Sequence, residues 1–91
     1  MTYNIEFTTE ARIGLAKLER SEPKAFAKAV GLIEELKTHP KTGTGHPEPL
    51  KGAPLGRWSR QITKKHRLVY QIMDEEIIVL ILRSYGHYND K

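Results

Sequence analysis

The hydrophobic pattern of this chain passes from helical to strand spacing at a stretch rich in proline and glycine near its middle, and that change fixes the class of fold open to it. Before the break, Ala11, Leu15 and Leu18 fall at i, i+4 and i+7, and Phe26, Ala29, Val30, Ile33 and Leu36 form a second stripe with the same helical spacing. After it come three strand-length runs, Arg57 to Thr63, His66 to Met73 and Ile77 to Tyr85. Met1 to Phe7, with Tyr3, Ile5 and Phe7 alternating with polar neighbours, opens the chain as a further short strand. The order is β-α-α-β-β-β, which predicts an α+β domain over residues 1–91 with two N-terminal helices packed on one face of a small antiparallel sheet.

Boundary residues sharpen this reading. Thr8 and Thr9 offer N-caps, and Glu10 sits where the positive end of a helix dipole favours an acid. The first helix should stop near Arg20 or Ser21, with Ser21-Glu22-Pro23 starting a second that ends before Pro40. Lys41 to Leu55 holds three of the five prolines and three glycines, so it reads as a surface loop. Loops of about 12 to 15 residues without internal structure tend to bind or catalyse. Glu48 lies in the middle of this one between Pro47 and Pro49, which stiffen its backbone.

Lys64-Lys65, taken as a two-residue hairpin loop, sets Arg60 opposite Val69 and Ile62 opposite Arg67, and turns Arg60 and Arg67 to the same face. A slip of one residue would separate them. Ile77 to Leu82 is apolar on both faces, which points to a partner or a dimer contact.

Charge is as unevenly distributed as hydrophobicity. Lys41, Lys51, Arg57, Arg60, Lys64, Lys65 and Arg67 stand in one stretch with a single carboxylate, Glu48, whereas the rest of the chain has eight basic and ten acidic residues. The net charge of +4 therefore comes from this stretch alone, and such concentration marks a surface that faces a polyanion. A lone Glu among cations is either an ion-pair partner or a base beside a phosphate, and charge counting favours the ion pair.

Several classes fall away. The longest apolar run, Ile77 to Leu82, is far short of the roughly 18 to 20 residues of a membrane span. Met-Thr-Tyr-Asn-Ile has neither the basic nor the apolar region of a secretory signal, so a cytoplasmic location is expected. With no cysteine there is no disulfide or thiolate chemistry, and four scattered histidines give no metal-ligand spacing. Neither a cofactor nor a metal is expected.

The order of residues inside the basic stretch is more specific than its charge. It reads His46-Pro-Glu-Pro-Leu-Lys51, Gly56-Arg-Trp-Ser-Arg-Gln-Ile-Thr63 and His66-Arg-Leu-Val-Tyr70, with Gly86-His-Tyr88 near the end. From Phe7 onward the chain resembles the YoeB/Txe family of RelE-like toxins, through Pro-Glu-Pro-Leu-Lys, Trp-Ser-Arg, His-Arg-Leu-Val-Tyr and the late His-Tyr. The resemblance implies a RelE-like fold and a ribosome-dependent endoribonuclease that cuts mRNA in the decoding site of the 70S ribosome and is held inactive by a cognate antitoxin. It places the general base on Glu48, phosphate stabilisation on Arg67 and the general acid on His87. It also implies that Lys51 binds phosphate, and Tyr88, next to His87, is a further candidate site residue that could stack on or hydrogen-bond to substrate if the tail folds back. The residue types suit those tasks: His titrates near neutrality, and Arg offers a permanently charged planar fork. Arg60, Lys64 and Lys65 are further candidate RNA contacts, and Trp58 a candidate for stacking on a base.

Plainer readings stand beside these. Glu48 could pair with Lys51 or Arg67, Trp58 could be core, His66 could be structural, and His39 and His46 could be loop residues. Where many relatives carry paired arginines after Trp-Ser, this chain has Arg60-Gln61, and Asn89, Asp90 and Lys91 extend it past the His-Tyr pair. Two other functions compete: a non-enzymatic toxin of the same fold, like the ParE-type gyrase inhibitors, and a basic RNA-binding module. Neither requires Glu48 and His87 together.

Overall fold

A computed structural model describes residues 2–86. Its elements are β1 (Asn4–Phe7), α1 (Thr9–Ser21), α2 (Pro23–Leu36), β2 (Glu48–Pro49), β3 (Arg57–Gln61), β4 (Arg67–Met73) and β5 (Ile78–Arg83). The helices begin and end where their sequence signals put them. Thr8 caps α1 by accepting the Ala11 N–H on its Oγ1 at 3.0 Å, and Pro23 occupies the first turn of α2. Glu22 is the N-cap of α2 and makes no side-chain capping bond, so Ser21 does not start that helix.

The sheet order is β1-β5-β4-β3-β2, and it departs from expectation twice. β1 pairs parallel with β5, from Asn4 opposite Ile78 to Phe7 opposite Ile81, so the sheet is mixed rather than wholly antiparallel. The connection between these parallel neighbours runs through both helices and then β2, β3 and β4, which return across the sheet from its far edge. The proline-rich stretch also contributes a strand: Glu48 pairs with Ser59 and Pro49 with Trp58, making β2 the far edge. Proline is tolerated there because an edge strand has one side without a ladder to join.

The helices bury their stripes against one face of the sheet. Leu18, Leu32 and Leu36 meet Leu68, Tyr70, Ile72, Val79 and Ile81, all essentially inaccessible to solvent. On β5, Val79 and Ile81 point into this core, and Ile78 and Leu80 are half-buried on the second face, so the doubly apolar run is divided between the two.

The β3–β4 hairpin fixes the faces of the basic residues. The Ile62 and Thr63 amides both donate to the His66 carbonyl, and Thr63 Oγ1 accepts from the Lys65 and His66 amides. The connection thus spans three residues instead of two, and the register moves by one: Arg60 pairs with Leu68, Gln61 with Arg67 and Ser59 with Val69. Opposed residues share a face, so Arg60 and Trp58 join Leu68 and Tyr70 on the helix side, while Arg67 shares the second face with Ser59 and Gln61.

Candidate active site

Glu48 and Arg67 meet on that second face. They are brought together by two ladders, since Glu48 opposite Ser59 and Ser59 opposite Val69 put β2, β3 and β4 side by side. Arg67 Nη1 lies 3.8 Å from Glu48 Oε2 and donates to Ser59 Oγ at 3.2 Å. The Glu48 side chain is 57% exposed and that of Arg67 29%. An oxygen-to-nitrogen separation of 3.8 Å exceeds the about 2.7 to 2.9 Å of a charge-assisted hydrogen bond, so the pair attracts without closing. The ion pair read from composition is therefore present, and its geometry leaves the carboxylate accessible to a third group.

Glu48 owes its position to more than its flanking prolines. The Gln61 amide donates to the Gly45 carbonyl at 2.7 Å and the Leu50 amide to the Arg57 carbonyl at 2.9 Å, so β3 grips the loop on both sides of the acid. Further back, Arg60 holds the loop from inside. Its side chain is fully buried, and each guanidinium N–H has an acceptor: Nε donates to Tyr70 Oη, Nη1 to Glu35 Oε1 at 2.7 Å and the Thr44 carbonyl at 3.3 Å, and Nη2 to the carbonyls of His39 and Thr42. Tyr70 Oη passes a hydrogen bond to the Pro40 carbonyl, and Glu35 accepts the Thr44 amide. Burial pushes the Tyr70 phenol up, partly opposed by Arg60, while the Thr44 hydrogen bonds, with Arg60 adding to them, hold the Glu35 carboxyl below the usual range.

This geometry corrects two of the candidate RNA contacts. Arg60 cannot reach a nucleic acid, because it is enclosed and its donors are used internally. Trp58 is half-buried and packs against the core opposite Tyr70, so core packing describes it better than base stacking. Lys51 is exposed three residues after Glu48, and Lys64 and Lys65 are exposed at the hairpin tip, where Lys65 Nζ stands 3.8 Å from Glu22 Oε1. His87 and Tyr88 lie outside the described residues. Among the described residues no group of three or more His, Cys, Asp or Glu could hold a metal, and no helix is long and apolar enough to cross a membrane.

Two residues of this face were not singled out from sequence as site members. Ser59 is fully buried between Glu48 and Val69 and bonded to Arg67, and Gln61 faces Arg67 directly across the ladder. The available signal was alternation: Trp58 and Ile62 flank Arg60 at two positions on either side, which assigns Arg60 to the apolar face and Ser59 and Gln61 to the other.

A model of the YoeB-like toxin of bacterial type II toxin–antitoxin systems matches residues 7–88, nearly the whole chain. The chain belongs to this family. It is 41% identical over 68 residues to the toxin YoeB of Mycobacterium bovis, covering 75% of this chain and 78% of that toxin. Among solved structures it resembles a YoeB/ParE toxin from Agrobacterium tumefaciens, with a TM-score of 0.86 and 32% identity over 93% of this chain and 99% of that one. It also resembles the YoeB of Staphylococcus aureus, solved as a dimer (TM-score 0.82, 28% identity, 97% and 100% coverage) and in complex with YefM (0.79, 29%, with the same coverage). A YoeB-like assignment agrees with the RelE-like α+β fold described above and with the four sequence words that carried the resemblance.

Proposed function

We propose that this YoeB-like toxin is a metal-independent, ribosome-dependent endoribonuclease that cuts mRNA in the A site and is neutralised by a cognate antitoxin. The observation that carries the reading is the Glu48–Arg67 pair: an accessible carboxylate and a guanidinium, nineteen positions apart in sequence, held 3.8 Å apart across β3 from β2 and β4 within the basic stretch. Glu48 takes the proton of a ribose 2′-hydroxyl, whose oxygen then attacks the adjacent phosphorus. Arg67 neutralises charge building on the non-bridging oxygens, as a planar fork does best. His87 donates a proton to the departing 5′-oxygen, and Tyr88 contacts the substrate. The products are a 2′,3′-cyclic phosphate, open to later hydrolysis to a 3′-phosphate, and a 5′-hydroxyl.

Lys51, Lys64 and Lys65 supply backbone contacts, and their charge, with that of Arg67, suits a flexible acidic antitoxin segment as well as RNA. The complex of the similar Staphylococcus aureus toxin with YefM supports an antitoxin partner, and its dimer supports self-association. A ParE-like gyrase inhibitor would not need a carboxylate beside Arg67.

The deciding experiment replaces the single 2′-hydroxyl at the cut site of a ribosome-bound mRNA by hydrogen. Cleavage should stop while toxin binding persists. Continued cutting, or products carrying a 5′-phosphate, would mean that water attacks and that the roles given to Glu48 and His87 are wrong.

A further inference from the structure

His66 precedes the phosphate-binding candidate Arg67, yet its ring serves the other end of the chain. It is 4% exposed, with both nitrogens engaged. Nδ1 accepts the Gly86 N–H at 2.9 Å, and Nε2 lies 2.7 Å from Glu22 Oε2. A nitrogen that accepts carries no proton, so Nδ1 is bare and Nε2–H donates to the carboxylate. The hydrogen bond from His66 leads the effects that hold the Glu22 carboxyl below its ordinary range. Gly86 is gripped on its other side too, because the Arg67 amide donates to its carbonyl at 2.9 Å. The Tyr85 ring lies against the imidazole with centroids 4.5 Å apart. Gly86 has φ +82°, a conformation that glycine adopts at no steric cost.

We propose that His66 is a positioning residue for the cleavage reaction: bound by Glu22 at one nitrogen, it fixes Gly86 against Arg67 with the other, and so sets where the segment beginning at His87 departs relative to the phosphate site. This inference rests on the catalytic reading of His87. Two conservative variants separate the functions of the ring. Asn places an acceptor near the Nδ1 position and keeps the Gly86 bond, whereas Gln places a donor near Nε2 and keeps only the Glu22 bond.

The test is single-turnover cleavage on programmed ribosomes by His66→Asn, His66→Gln and Glu22→Ala, with His87→Gln alongside and amide hydrogen exchange followed at Gly86. Displacement of a reacting group by about 1 Å costs on the order of 10²-fold, so His66→Gln should lose roughly 10- to 100-fold in rate, bind ribosomes normally and exchange the Gly86 amide faster. His66→Asn should retain most of the rate. Glu22 makes no capping bond of its own, so Glu22→Ala should leave the fold intact and lower the rate several-fold by freeing the ring, which keeps the test open if His66→Gln fails to fold. Wild-type cleavage by His66→Gln or Glu22→Ala, with His87→Gln inactive, would overturn this inference alone. Full activity in His87→Gln would overturn the catalytic reading and the inference with it.

Discussion

The guanidinium of Arg60 and the carboxylate of Glu35 meet at 2.7 Å between β3 and α2, and the Arg60 side of this ion pair is wholly shielded from water. Three carbonyls of the loop from His39 to Thr44 depend on the same cation. Arg60→Ala should therefore cost about 3 to 5 kcal/mol, the range for removing one partner of a buried pair, because it strands those acceptors as well as leaving a cavity. Glu35→Gln preserves the acceptor toward Arg60 and Thr44 and should cost much less. Urea unfolding of the two variants checks the order; a loss below about 1 kcal/mol for Arg60→Ala would contradict the clamp.

Glu48→Gln should lower the cleavage rate on ribosomes by about 10² to 10⁴ with little change in ribosome affinity, as expected for loss of a general base. Its stability should stay within about 1 kcal/mol of the parent, since the exposed pair with Arg67 contributes little. Arg67→Ala should impair both rate and binding, because the cation meets phosphate before and during the reaction. Single-turnover rates and ribosome co-sedimentation separate the two patterns.

Gln61 stands directly opposite Arg67 on the second face of the sheet. Gln61→Arg should add about one phosphate contact, steepening the salt dependence of binding to single-stranded RNA by about 0.7 in the log–log slope. The new charge directly across from Arg67 should also lower stability by some tenths of a kcal/mol. Binding titrations at several salt concentrations, paired with thermal melts, test both signs.

Much of this was legible in the sequence, and the main errors have two causes. Helix limits follow from local signals such as Thr8, Pro23 and Pro40, and Glu48 and Arg67 were marked by motif. Arg60 was misplaced because a face depends on hairpin register, and Lys64-Lys65 does not reveal that Thr63 belongs to the turn. Once Thr63 Oγ1 caps the Lys65 and His66 amides, every pairing shifts by one and Arg60 turns inward. The parallel pairing of β1 with β5 was invisible for a different reason: it joins segments at opposite ends of the chain, and no local pattern encodes it.

Acid should destabilise the fold through Glu22 and Glu35. Both carboxyls are held below the ordinary range in the folded protein, Glu22 by His66 and Glu35 by Thr44 and then Arg60. The folded state thus binds fewer protons than the unfolded chain near pH 4. The stabilisation is fully present above the unfolded value, about 4.3, and disappears as pH falls through the lower folded values. The drop in melting temperature between pH 6 and pH 3 should be smaller in Glu22→Gln/Glu35→Gln than in the parent, and an equal drop would assign the acid sensitivity to other groups.

Gly14→Ala sets two effects against each other. Alanine favours a helix interior by about 0.8 to 1.0 kcal/mol over glycine. A methyl at this site of α1, however, would stand 2.5 Å from Ser84 Oγ and 2.9 Å from Tyr85 Cβ, and crowding of this kind costs about 1 to 3 kcal/mol. Net destabilisation is expected, with loss of the Ser84 hydroxyl bond to the Ala11 carbonyl. A raised melting temperature would show that the helix can move away from the strand end.

Because β5 lies between β1 and β4, the first strand made by the ribosome has no neighbour until the last one emerges. Positions 4 and 78 pair, and at roughly 5 to 20 residues per second the wait is about 4 to 15 seconds. A chain interrupted during that interval has neither a closed sheet nor the Gly86 anchor beside Arg67. The arrangement beside Arg67 therefore assembles only after β5 and Gly86 have been made, so synthesis order itself delays the site that the proposed activity needs.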